Sequence, residues 1–141
     1  TNYQSEYFTN KTIYISSTVK KLGKSILLIP NEDFALNSIQ CLSNVSKSYS
    51  KSGRSLYSAS TLDVEVSDKE LLKQFNKITN ISKQDSKIIK SYTLPYSLPA
   101  TFTSIDSKDN HYYCGDWNSE PSIDGALKSG RLVASQINEK K

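Results

Sequence analysis

Hydrophobic positions in the first half of the chain come in short runs broken by turn residues: residues 12–16 (TIYIS), 25–30 (SILLIP) and Ser55–Thr61 (SLYSAST). Runs of four to eight residues bounded by Ser, Asn, Gly and Pro predict strands rather than helices. Residues 43–54 between them are rich in Ser, Lys and Gly, which predicts a long loop or hairpin connection. The pattern then changes period. Ser67-Asp68-Lys69-Glu70 is a capping box, and Leu71, Leu72, Phe75 and Ile78 follow at three- and four-residue steps, so a helix over residues 68–79 is predicted, docking its apolar face on the sheet. Ile88, Ile89 and Tyr92 predict a further strand that ends at the Pro95 and Pro99 punctuation of TLPYSLPA. The polar residues 104–110 mark a boundary. Beyond it the chain reads as a short strand over residues 111–114, a turn over 115–121 and a helix from Ser122 onward. That helix carries Ile123, Ala126, Leu127, Gly130, Val133, Ala134 and Ile137 as one stripe, which is expected to pack on neighbouring elements.

Composition narrows the chemistry. A chain of 141 residues fits one ordinary domain or a piece of a larger protein. Eighteen Lys+Arg against fourteen Asp+Glu give a formal charge of +4. The lysines are spread over the whole length among serine, asparagine and acidic residues, so they read as a solvated surface, and no basic stripe with interleaved aromatics argues for nucleic acid as a partner. Two separated cysteines, Cys41 and Cys114, and a single histidine, His111, are too few for a disulfide framework, a zinc site or a Ser-His-Asp triad, so no metal ligand is assigned. Cys114 reads as a small buried strand residue. The apolar run from Ile26 to Pro30 is far below the roughly 20 residues of a membrane-crossing helix, and no transmembrane segment or signal peptide is expected. The expected location is cytoplasmic.

The informative region is Tyr113-Cys114-Gly115-Asp116 followed by Pro121-Ser122-Ile123-Asp124-Gly125-Ala126-Leu127-Lys128-Ser129-Gly130-Arg131. Glycine inside a helix costs about 1 kcal/mol relative to alanine, so Gly125 and Gly130 point to close approach by a ligand or by another stretch of backbone. A helix N-terminus presents unpaired N–H groups and partial positive charge, which suit an anionic or electron-rich group placed against the Ser122–Ala126 turn. Asp116 can accept hydrogen bonds from sugar hydroxyls. Spacing alone leaves a second reading open, in which the glycines permit tight helix packing, Asp116 caps a turn and Ser122 is an ordinary N-cap.

The segment YYCGDW…PSIDGALKSGRLVASQI resembles the C-terminal signature of the FAD-dependent amine oxidase, phytoene desaturase and protoporphyrinogen oxidase superfamily, a strand, a Gly-Asp turn and an S-x-[DEQ]-G-A-x-x-S-G helix. Ser43-Asn44-Val45, Ser48-Tyr49, Gly53-Arg54-Ser55-Leu56 and residues 92–99 are also similar to the late substrate-domain region of that superfamily. The resemblance implies that Asp116 contacts the ribityl or nearby phosphate part of FAD and that the turn Ile123, Asp124, Gly125, Ala126 directs the helix N-terminus at the flavin. Gly115 and Ser122 complete the implied cofactor-binding set.

On that reading the chain is an α+β fragment of an α/β FAD-binding enzyme, Rossmann-like and of amine-oxidase type. It combines a mixed sheet and a packed helix with a C-terminal strand-turn-helix. Residues 1–103 are expected to form part of the substrate-binding domain and residues 104–141 the C-terminal segment of the FAD-binding domain. No GxGxxG occurs among Gly23, Gly53, Gly115, Gly125 and Gly130, so the ADP half of FAD needs the remainder of the FAD-binding domain as a partner. No cysteine lies in residues 92–101, which implies non-covalent FAD. The implied function is oxidation of a small-molecule substrate by hydride transfer to FAD, with catalytic residues and substrate unassigned. A non-enzymatic remnant or interaction module that keeps the motif for packing is the alternative.

Overall fold

The computed structural model describes residues 6–100 and 111–139. Five strands, β1 (Tyr7–Ser17), β2 (Leu27–Leu28), β3 (Ser38–Cys41), β4 (Ser55–Thr61) and β5 (Ser86–Pro99), form one sheet in the order β2-β3-β4-β1-β5. β1 pairs with β4, β4 with β3 and β3 with β2, all antiparallel. Beside β1, Thr18 donates to Asp85 at one end and Ala100 to Glu6 at the other, so β5 is antiparallel as well. The sheet is therefore antiparallel and not mixed as expected. The helical crossover from β4 to β5 would ordinarily place two parallel strands side by side, but here β1 lies between them and pairs with both.

Within Thr9–Leu94, one of the two units into which the chain divides, the period-two alternation decides which side chains form the core. Ile13, Ile15 and Ser17 of β1, Ile39 and Cys41 of β3, and Tyr57, Ala59 and Thr61 of β4 are all wholly buried on one face. Register brings Ile13 and Ile39 to either side of Ala59. The helix α2 (Asp68–Thr79) covers this face with Leu71 and Phe75, both wholly buried. It begins where the capping box predicts: the Ser67 hydroxyl accepts from the Glu70 amide at 3.2 Å, Asp68 and Glu70 occupy the positive end, and Asn80 in the left-handed region ends it. Lys11 anchors its first turn to the sheet by donating to Val66 O at 2.7 Å and pairing with Asp68 at 3.0 Å.

Several sequence expectations are corrected here. Of residues 25–30 only Leu27–Leu28 joins the sheet. The stretch 43–54 is not all loop, since a one-turn helix, α1 (Leu42–Val45), and a 3₁₀ turn (Lys47–Tyr49) fall in and beside it. β5 ends at Pro99, the second proline of the expected punctuation, and runs through Pro95 with Tyr96 in the left-handed region (φ 56°). It is an edge strand, where a residue without an N–H leaves no ladder bond unmade. Residues 111–114 form no strand: His111 makes a single bridge and Cys114 is exposed rather than buried.

The second unit comprises Thr1–Phe8 and Pro95–Lys141. Its described elements include a 3₁₀ turn (Asp116–Asn118) packed against the long helix α3 (Ile123–Glu139). The boundary expected at residues 103 and 104 lies outside the described residues. No described helix is long and apolar enough to cross a membrane.

Tyr57 is the largest wholly buried side chain, and its ring meets Phe75 edge-on at 5.2 Å. Its hydroxyl accepts from the Lys21 amide at 2.7 Å and donates to Val19 O at 3.0 Å, fixing the segment that follows β1. Burial pushes the hydroxyl's pKa above its ordinary 10.0, so the folded state disfavours the phenolate. Stability from this group is complete below pH 10 and is lost as pH rises through the higher folded value. Tyr57→Phe is expected to lower unfolding free energy at neutral pH by about 1–3 kcal/mol, because a buried donor and acceptor lose their partner. Denaturant titrations from neutral to alkaline pH should also show a shallower alkaline decline than wild type; parallel declines would contradict the assignment.

Candidate functional site

The site expected from sequence lies within Pro95–Lys141, and the close approach anticipated there is made by the chain itself. At Gly125 an added Cβ would collide with Glu120 O and lie 2.8 Å from Glu120 C and 2.9 Å from Glu120 N. The space a side chain would take is filled by backbone, so this glycine admits the approach of the preceding turn. Gly115 is similarly crowded by the indole edge of Trp117, which covers the turn, whereas a Cβ at Gly130 would meet nothing within 4 Å.

Hydrogen bonds fix the arrangement. The Gly115 amide donates to the buried Ser129 hydroxyl at 3.2 Å, and Asn118 donates through Nδ2 to Tyr113 O at 3.2 Å. Asp116 Oδ1 accepts from the Trp117 amide at 3.0 Å, and Asp116 O from Ser119 at 3.2 Å. Ser122 caps α3: its Oγ accepts from Gly125 at 2.9 Å and its carbonyl from Ala126 at 3.0 Å. Glu120 pairs with Lys128 at 3.0 Å across the exposed flank. Asp116 is half-buried, while Ser122, Ile123 and Asp124 are exposed.

The first two amides of the helix, on Ile123 and Asp124, have no hydrogen-bond partner among the described residues. The Gly125 side of the same turn is closed by Glu120. Of the expected cofactor contacts, these two amides and the second carboxylate oxygen of Asp116 have no hydrogen-bond partner among the described residues. Gly115, Gly125 and Ser122 serve the fold of the turn. Within this chain the apolar stripe of α3 stands exposed, Ile123 by 84% and Leu127 by 69%, and the helix positions buried against the chain itself are Gly125 and Ser129. Close packing selected the smallest residues, because they let two backbones meet.

Sequence reasoning missed two features of the Thr9–Leu94 unit. In this unit Tyr14, Leu56, Ile89, Lys90, Tyr92 and Leu94, with Thr12, line a groove of about 500 Å³, with Tyr14 and Tyr92 edge-to-face at 5.9 Å and Lys90 Nζ 5.5 Å from the Tyr92 ring. Alternation in β1 and β4 could have indicated it. A smaller basic cavity between residues 20 and 55 has no local signal, since its charges come from separated segments.

No family model matches the sequence, and no curated protein matches it. Solved structures do. The chain is similar to an oxidoreductase from Methanosarcina mazei, at 11% identity and a TM-score of 0.63, covering 93% of this chain and 35% of that one. It is also similar to the PF1083 protein from Pyrococcus furiosus, at 14% identity and a TM-score of 0.66, covering 94% of this chain and 32% of that one. The likeness is one of fold, an antiparallel α+β arrangement, and the chain spans about a third of the length of either structure.

Replacing glycine by alanine separates close packing from open space. Gly125→Ala is expected to destabilise the turn by about 1–3 kcal/mol through overpacking, whereas Gly130→Ala should be neutral or gain up to about 1 kcal/mol of helix preference. Hydrogen exchange along α3 measures both. Equal tolerance at the two positions would remove the Glu120 contact as the reason for Gly125.

Proposed function

We propose that this chain forms part of a flavin-dependent oxidoreductase related to the amine oxidase superfamily, with the mouth of α3 placed against non-covalently bound FAD. The observation that carries the reading is the pair of amides on Ile123 and Asp124 without a partner among the described residues, in a segment whose sequence resembles that family's flavin-contacting signature. The fold likeness to an oxidoreductase three times longer than this chain is in keeping with a piece of such an enzyme.

The residues divide the work. The exposed amides and the positive end of a seventeen-residue helix favour electron density placed against them. Asp116, held by the Trp117 amide through one oxygen, presents the other to a hydroxyl. Bound FAD would supply the hydride-accepting chemistry, and these residues would bind it and bias its charge.

The alternative reading, a module that keeps the motif for packing, is favoured by one observation, the closure of Gly125 by Glu120. Flavin retention distinguishes the two. In the longer protein that carries the dinucleotide-binding half, Asp116→Ala is expected to weaken FAD binding about ten- to a hundred-fold, the equivalent of one charged hydrogen bond of about 1.5–3 kcal/mol. Gln136→Ala, exposed and distant along the helix, should leave it unchanged. Flavin content and dissociation constants identical to wild type in Asp116→Ala would leave the packing reading standing.

A further inference from the structure

The lysines that look dispersed in the sequence are brought together in the fold. Lys20, Lys47, Lys51 and Arg54 line one cavity of about 330 Å³ with Asn44 and Ser50, and among the described residues no acidic side chain lines it. None of the four cations is ion-paired among the described residues. Like charges gathered round a cavity without a counter-charge repel one another, and an anion within it reverses the sign of that interaction.

The walls are built rather than loose. Tyr57 fixes Val19 and Lys21 on either side of Lys20, and Asn44 Nδ2 donates to Leu22 O at 2.6 Å and lies within reach of Lys21 O and Gly23 O. On the other side the Ser50 hydroxyl donates to Arg54 O at 2.6 Å, closing a turn in which Gly53 takes the left-handed conformation (φ 73°). Arg54 Nε donates to Ser16 Oγ at 2.8 Å, which orients its guanidinium. Carbonyl partners on Nδ2 also settle which way the Asn44 amide points. Its Oδ1 is buried and closed off from the cavity, so Asn44 shapes the wall rather than meeting an occupant.

We propose that this cavity binds a small phosphate monoester through its phosphate group. Lys20, Lys47, Lys51 and Arg54 neutralise the dianion. The volume suits a ligand of a few carbon atoms. The site is independent of the flavin reading, since it uses none of the residues of the C-terminal turn.

Calorimetric titration of the 141-residue chain with glycerol 3-phosphate, methyl phosphate and inorganic phosphate at low salt tests the assignment. One-site binding is expected for all three, weakened by added salt. The double variant Lys47→Ala/Lys51→Ala, at exposed positions, should lose about tenfold or more in affinity. Lys69→Ala/Lys73→Ala, on α2 away from this cavity, should match wild type. Equal losses in the two double variants, no saturable binding, or tighter capture of a single-stranded oligonucleotide with increasing length would each overturn the proposal.

Discussion

The Tyr57 side chain joins two demands that usually conflict. Its ring completes the apolar contact between β4 and α2, with Phe75 at 5.2 Å, while its polar tip stays inside and is satisfied by the backbone of Val19 and Lys21. A buried hydroxyl needs partners, and the chain supplies them by folding the segment after β1 back over the end of the sheet. That return sets the path of residues 19–23, to which Asn44 is then clasped. The sheet core, the position of Lys20 and the shape of the basic cavity all follow from one residue being aromatic and hydroxylated. Phenylalanine would keep the first contact and lose the rest.

The C-terminal turn rests on a different constraint, the distance of closest approach between two backbones. Glu120 lies where a Gly125 side chain would be, and the cap from Ser122 and the bond from Gly115 to Ser129 hold that approach in place. Small residues therefore face inward on α3, and larger apolar ones, Ile123, Leu127 and Leu132, remain exposed.

Local signals were legible where the interactions that create an element are themselves local. The α2 helix has its cap, its acidic first turn and its apolar spacing within residues 67–79, and the structure places it over Asp68–Thr79. Ser55–Thr61 alternates strictly and is a strand to the residue. β3, only four residues long, carries too little pattern to stand out and exists because β2 and β4 pair with it. Pro95 reads as a stop, yet an edge position removes its penalty, and edge position is a property of the whole sheet. The stripe on α3 showed which side is apolar but not which side is covered, because contact there was decided by size rather than hydrophobicity. Likewise the basic cavity joins Lys20 to Lys47, Lys51 and Arg54 across an interval the sequence does not reveal.

Hydrogen exchange at two amides tests most directly the proposal that the N-terminus of α3 meets a bound flavin. Rates at Ile123 and Asp124 can be compared, in a protein that joins this chain to a dinucleotide-binding half, with FAD bound and after its removal. Neither amide has a partner among the described residues, so both should exchange quickly without the cofactor and markedly more slowly with it. Unchanged fast exchange at both positions while FAD remains bound would contradict the account and return the turn to a purely structural role.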